Sequence, residues 1–181
     1  MFNQSSLPES GETIAIITTN HGTMKARLFQ QIVSGAAENF IELAKQGKYN
    51  GIPFHRVIKN FMIQGGDFTN GNGTGGHAAA GEGSRIGDTY DPRLTHIRGA
   101  LSWAKTSAPN SIGSQFFIVH PEDGTHFLNH PKDGGDNEGY TVFGQLYEGF
   151  EVLDKIASVK TDGRDRPKDD VIIEKVEIGN L

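Results

Sequence analysis

Cysteine is absent from the 181-residue chain. Disulfides, thiolate metal centres and a cysteine nucleophile are excluded with it. Long apolar runs are missing as well: nothing approaches the roughly 20 residues that carry a helix across a bilayer. Basic charge is in short supply. Seventeen Lys and Arg against 22 Asp and Glu leave a net charge of −5, with no dense basic block. That argues against nucleic acid, whose binding rests on neutralising phosphates. Met1 to Gly11 holds neither a basic region nor an apolar core, so it does not read as a signal peptide, and a cytoplasmic location is the expectation. There is no G-x-S-x-G elbow, and no paired acids flank the aromatic stretches. What is plentiful is glycine, 24 residues, which points to many tight turns, as in a sandwich or barrel. The length fits one domain with a real core. Residues 1–12 read as a flexible polar tail and 13–181 as the domain.

The pattern along the chain is mainly β. Thr13–Thr19 is β-branched, and Thr23–Phe29 alternates, with Met24, Ala26 and Leu28 on one face and Lys25 and Arg27 on the other. Ser34 is placed to cap a helix to about Gln46, with Gly47 as its stop. Strands are expected at Ile52–Ile58, Phe61–Gln64, Gly99–Ala104, Ser114–Val119, Tyr140–Gln145 and Val171–Ile178, and a second helix at Gly149–Ala157. Strands and helices do not alternate, so a parallel sheet is not expected. A closed, eight-stranded, mostly antiparallel barrel with a helix over each open end uses every piece and leaves no edge.

The densest chemistry lies between Tyr49 and Phe68. Arg56 sits among Phe54, Phe61, Met62 and Phe68, with the amide of Gln64 beside them. Met62 and Gln64, two apart in a strand, share a face. Taken alone, this is a half-buried hairpin with an exposed arginine. Gln115 and Phe117 add a second amide and another aromatic. Arg and Gln among Phe and Met suit an apolar ligand whose polar part is an amide, and a reaction that needs no nucleophile. Two other features carry less. Gly71 to Gly76 matches G-x-G-x-x-G, but the sequence after it is interrupted by glycines rather than opening a helix, so a tight surface loop is expected in place of a nucleotide site. His120, His126 and His130 have no recognised ligand spacing and read as solvated loop histidines, with no metal.

The run Phe54-His55-Arg56-Val57-Ile58 through Phe61-Met62-Ile63-Gln64-Gly65-Gly66-Asp67-Phe68 resembles the signature of the cyclophilins. Gly71 to Gly76 resembles their next loop. Leu101-Ser102-Trp103-Ala104 and Pro109-Asn110-Ser111 through Gly113-Ser114-Gln115-Phe116-Phe117-Ile118 resemble their second signature, and Val142-Phe143-Gly144 the strand after the groove. The similarity runs in order from about Thr13 to the C-terminus. It implies a peptidyl-prolyl cis–trans isomerase that assists protein folding, with a cyclophilin-like barrel and no cofactor. It implies Arg56 as the catalytic arginine, with Phe61 and Gln64 beside it. Phe61, Met62, Phe117 and Leu128 would wall the proline pocket, and Gln64 and Gln115 would hold the substrate backbone. Ala104, Lys105 and Thr106 would run beside the peptide as an added strand, with Gly73 in the rim. Three departures stand out: Phe127 where many members have tryptophan, Tyr140 where many have histidine, and a longer loop at 129–139. They resemble a bacterial-type member and imply reduced affinity for cyclosporin. Proline-containing peptides and protein clients are the expected partners of a monomer. The rival reading is a barrel that grips such segments without turning them over.

Overall fold

The computed structural model describes residues 1–133, 135 and 138–181. The chain begins with a hairpin, β1 (Thr13–Thr19) and β2 (Gly22–Leu28), followed by helix α1 (Ser34–Lys45). Three short strands come next, β3 (Ile52–Pro53), β4 (Arg56–Ile58) and β5 (Met62–Gly65). A long loop leads to β6 (Ala100–Trp103), β7 (Phe116–Val119), β8 (Val142–Glu148), helix α2 (Phe150–Ala157) and β9 (Ile172–Asn180). Every strand pair is antiparallel, in the order β3-β9-β1-β2-β8-β6-β7-β5-β4.

The fold is mainly β with two helices, as expected, but the sheet is a nine-stranded open half-barrel and not a closed eight-stranded barrel. The reason lies in one segment. The strand expected over Ile52–Ile58 is split by Phe54 and His55 into β3, which pairs with β9, and β4, which pairs with β5. Pro53 has no N–H to continue a ladder and biases its neighbour's backbone. The two edge strands are therefore consecutive in the chain, and no ladder joins them. Loop carbonyls take the freed donors: Phe54 N–H donates to Val171 at 2.8 Å, and Val57 N–H to Asp165 at 2.8 Å. Lys59 and Asn60 make the turn between β4 and β5, with Asn60 at φ 62°, a left-handed angle that asparagine tolerates.

Trp103 and Phe40 bind the helix to the sheet. The Trp103 indole donates to the Ala36 carbonyl at 3.1 Å, and the Phe40 ring meets Tyr49, Trp103, Phe116 and Phe143. Ser34 does not cap α1: the N-cap position is Val33, without a side-chain bond, and Ser34 is the first helical residue. Gly47, at φ 71°, ends the helix by donating to Ala44 O.

The polar tail is docked rather than loose. Gln4 is 7 % exposed and bonds the Thr95 carbonyl and the Gln145 side chain. Arg27, on the polar face of β2, is only 3 % exposed because this segment covers it. It pairs with Glu12 at 2.8 Å, reaches the Asn3 and Ser6 carbonyls, and lies near the rings of Phe2 and Phe29. A buried guanidinium needs such partners, since leaving it unpaired costs several kcal/mol.

Candidate active site

Register across three strands builds the site. Arg56 on β4 stands opposite Gln64 on β5, Gln64 opposite Phe117 on β7, and Phe117 opposite Ser102 on β6. Directly opposed residues share a face, so cation, amide and aromatic ring form one row. Met62, two residues from Gln64, joins the same face. Arg56 is exposed, and its Nη1 donates to Gln64 Oε1 at a long 3.5 Å. Gln64 donates in turn to Gln115 Oε1 at 3.1 Å, and Gln115 to the carbonyls of Gly73 and Gly75 at 3.0 and 2.9 Å.

A cavity of about 170 Å³ opens beside this row, lined by Arg56, Phe61, Met62, Gln64, Ala104, Lys105, Phe117, Leu128 and Tyr140. Met62, Phe117 and Leu128 are buried, so its walls are dry. A second cavity of about 190 Å³ continues from Gln64 and holds Gly73, Thr106 and Gln115. Phe127 lines neither cavity. It is 45 % exposed and lies against Phe61, with ring centroids 5.9 Å apart. The thirteen residues singled out in the sequence thus lie along one groove and its edge. The 129–139 loop lies partly outside the described residues.

Asp67 was not expected to matter beyond its place in a motif, yet it organises the rim. Its carboxylate is fully buried and accepts five backbone N–H bonds, from Thr69, Asn70, Asn72, Gly73 and Gly75, at 2.9 to 3.2 Å. Burial alone would raise its pKa, but the N–H groups of Asn70, Gly75, Asn72 and Gly73 outweigh it and hold the carboxyl below the usual range. The glycine-rich stretch is therefore a loop wound around an internal anion, and no helix follows it. A side chain at Gly73, φ 96°, would put its Cβ 2.9 Å from His55 Nε2. The aspartate just ahead of the glycines was the available signal, since Asp side chains bond their own following backbone.

Other charges near the groove are accounted for. Lys105 bonds Asp88 at 3.0 Å and lies over the Tyr140 ring at 5.1 Å. Burial would lower its pKa, but the bond to Asp88 and its charge hold it above the usual value. Behind Phe117 stands His96, its ring stacked at 5.9 Å and 14°. Asn129 Oδ1 can only accept, so the ring proton is on Nδ1 at 2.8 Å, and Nε2 faces the Ser102 hydroxyl at 2.9 Å. Burial, opposed only in part by the Asn129 bond, brings His96 down to about 4. His120 is not a solvated loop residue: it is buried, accepts from Asn60 N–H at 2.9 Å and meets Asp154 at 3.0 Å. Among the described residues, no three His, Asp or Glu side chains gather to hold a metal. No helix among them is long and apolar enough to cross a membrane.

A dry apolar pocket with a cation and two amides at its mouth can grip a proline ring and act on the bond beside it. It offers neither a nucleophile nor a metal cluster among the described residues. Such a site suits a protein that binds proline-containing segments. The family model described as cyclophilin type peptidyl-prolyl cis-trans isomerase/CLD matches residues 13–178. The chain belongs to that family. A Staphylococcus haemolyticus protein named as a peptidyl-prolyl cis-trans isomerase is 40 % identical over 188 residues, covering 94 % of this chain and 93 % of that protein. A Streptococcus pyogenes protein named as a bifunctional phosphatase/peptidyl-prolyl cis-trans isomerase is 44 % identical, and the chain spans only 38 % of its length. The crystal structure of a Cryptosporidium parvum cyclophilin type isomerase superposes with a TM-score of 0.82 at 35 % identity, covering 94 % of this chain and 99 % of that one.

Two measurements check the scaffold. Asp67→Asn replaces an acceptor oxygen by an amide that cannot accept from Asn72, Gly73 and Gly75. The expected loss is about 3 kcal/mol in urea unfolding, since three part-buried bonds are lost and each is worth roughly 0.5–1.5 kcal/mol. A loss under about 1 kcal/mol would show that the loop holds itself without the anion. His96 is neutral when folded down to about pH 4, whereas the unfolded imidazole takes a proton near the ordinary histidine value of 6.5. The unfolded state thus binds more protons between those values, and stability falls as pH drops. Its contribution is complete above about pH 6.5 and declines toward pH 4, by about 3 kcal/mol in all. Unfolding at pH 7 and pH 4.5 reads this, and His96→Gln is expected to remove most of the difference. An unchanged difference would mean that His96 does not stay neutral.

Proposed function

We propose that this chain accelerates cis–trans isomerisation of X–Pro peptide bonds, with Arg56 as the group that acts on the rotating bond. The observation that carries this is the placement of Arg56 opposite Gln64 at the edge of a dry, proline-sized pocket. Amide resonance opposes rotation by about 18–20 kcal/mol. At the twisted geometry the resonance is lost and the prolyl nitrogen regains a lone pair. A guanidinium can donate to that lone pair, which is scarcely present in the planar state, so the bond selectively lowers the barrier. Phe61, Met62, Phe117 and Leu128 hold the ring while the preceding carbonyl swings. Gln64 and Gln115 anchor the backbone, and Ala104 to Thr106 offer an extended edge along which the peptide lies, with Gly73 in the rim. No cofactor enters. The Cryptosporidium structure also exists in the presence of the dipeptide Ala-Pro, at a TM-score of 0.81 and 36 % identity, which supports a proline-containing substrate.

The functional domain in this reading is residues 13–181, acting as a cytoplasmic monomer on proline-containing clients during folding. Phe127 and Tyr140 edge the groove and affect which ligands it holds rather than the rotation itself.

Arg56 tests the mechanism. Arg56→Ala is expected to lower kcat/KM for a short Ala-Pro peptide about a hundredfold or more, the scale of losing one transition-state donor, while peptide binding changes little. Arg56→Lys restores only part, because a point charge cannot reproduce the planar fork. If Arg56→Ala kept the wild-type kcat and only raised KM, the arginine would be a binding group and the donation to the prolyl nitrogen would be wrong.

Phe127 tests the groove's edge. A phenyl ring has no donor, whereas the indole of tryptophan has one. A net hydrogen bond is worth about 0.5–1.5 kcal/mol, so with the lost ring area cyclosporin binding is expected to be roughly tenfold weaker than with tryptophan there. Phe127→Trp is expected to recover that affinity in a titration and to leave small-peptide turnover nearly unchanged. Equal affinities would place control of the ligand elsewhere, at Tyr140 or the 129–139 loop.

A further inference from the structure

A third cavity, of about 390 Å³, shares Arg56 and Gln64 with the proline pocket and is otherwise lined by His55, Asn72, Gly73, Asp162, Arg164 and Arg166. It brings three arginines into the lining of one recess, in a protein whose net charge is −5. They are held in different ways. Arg166 is fixed: it donates to the Gly71 carbonyl at 2.7 Å and meets Asp170 at 3.4 Å. Among the described residues, Arg56 has only the long bond to Gln64. Arg164 is exposed, and among the described residues its guanidinium has no partner.

The one acid in the lining is occupied. Asp162 Oδ1 accepts the backbone N–H groups of Arg164 and Arg166 at 2.8 and 3.1 Å, so it shapes the loop that carries both arginines. It offsets part of their charge but does not cap a guanidinium. His55 is 6 % exposed, and its Nδ1 has no hydrogen-bond partner among the described residues. Burial lowers its pKa, Asp67 opposes this, and Arg166 and Arg56 lower it further, so the ring adds no charge of its own at neutral pH. The cavity is thus basic, wet enough for a polar group, and within one or two residues' reach of a proline held beside Arg56, given about 3.3 Å per extended residue.

We propose that this recess is a subsite for an acidic side chain, so that the preferred substrates carry Asp or Glu within two residues of the isomerised proline. Arg164 is the specificity-determining residue: it supplies unclaimed donors to the carboxylate, while Arg166 sets the position of the loop. The proposal rests on the prolyl-isomerase reading above and extends it from reaction to substrate class. Selection by charge at an exposed site is modest and salt-dependent, because solvent and ions screen it.

The experiment compares short proline peptides that bear Glu or Gln at successive positions on either side of the proline, assayed for turnover and, by calorimetry, for binding. At low salt one Glu position is expected to raise kcat/KM about threefold to fivefold over its Gln counterpart, the range of an exposed ion pair. The preference is expected to fade at 0.5 M salt and in Arg164→Gln. Arg164→Glu is expected to reverse it in favour of a Lys peptide. Turnover of the Gln peptides remains at the wild-type level in Arg164→Gln, which also shows that this variant is folded. Equal rates and affinities for Glu and Gln peptides at every position, or a preference untouched by Arg164→Gln, would overturn the proposal. Failure of all peptides to turn over would overturn the isomerase reading instead, and calorimetry would still decide whether the recess selects the acid.

Discussion

The carboxylate of Asp67, buried inside the loop it has drawn around itself, is the interaction on which the rest of the site depends. Five backbone N–H groups converge on it. That leaves the carbonyls of Gly73 and Gly75 turned toward Gln115, which passes the constraint to Gln64 and, more weakly, to Arg56. The order of strength matters. Charge-assisted bonds to a buried anion are the strong ones, and they are used far from the reacting bond. Neutral amide contacts follow, and the loosest contact is at the cation itself.

The open seam of the sheet serves the same end. Splitting the strand at Phe54 and His55 lets β3 complete the sheet at β9 while β4 turns away to pair only with β5. Arg56 therefore sits at the first position of an edge strand, whose outer side meets no strand but a loop, through Val57 N–H and the Asp165 carbonyl. A continuous closing strand would have presented Arg56 to a neighbour's ladder instead. Gly66 shows how tightly the adjoining corner is drawn: a Cβ there would lie 2.5 Å from the Ser114 carbonyl. The rigid core of Trp103, Phe40, Phe116 and Phe143 beneath it supplies the backing that an edge strand lacks.

Local patterns made much of this legible. Alternation marked β1 and β2, glycine marked the end of α1, and two-residue periodicity put Met62 with Gln64 and Gln115 with Phe117. The resemblance supplied the roles. What stayed hidden depends on segments distant in the chain. Arg27 looked exposed because alternation says nothing of residues 3 to 6 folding over it. Lys105 carried no sign of Asp88, nor His120 of Asp154. Pro53 was a visible reason to break the strand at Ile52–Ile58, but barrel closure was the stronger expectation. Arg164 and Arg166 carry no mark in the sequence that ties them to the groove, and only the fold brings them to its side.

The partner of Arg56 is an amide and not an acid, and this choice follows from the chemistry. A carboxylate at position 64 would hold the guanidinium in a bidentate pair, fix its plane and claim two of its five donors. It would also spread negative charge next to the carbonyl of the rotating amide. The Gln64 oxygen, at 3.5 Å, orients one nitrogen lightly and leaves the remaining donors and the full positive charge for the bond in transit. The cost of an unclaimed cation is small because Arg56 stays exposed, where water solvates it. Its hydrogen bond strengthens when a peptide displaces that water from between it and the dry wall of Phe61, Met62 and Phe117. In the mechanism proposed for Arg56, a loosely held cation beside a rigid apolar wall would reserve its strongest interaction for the twisted substrate and not for the protein's own side chains.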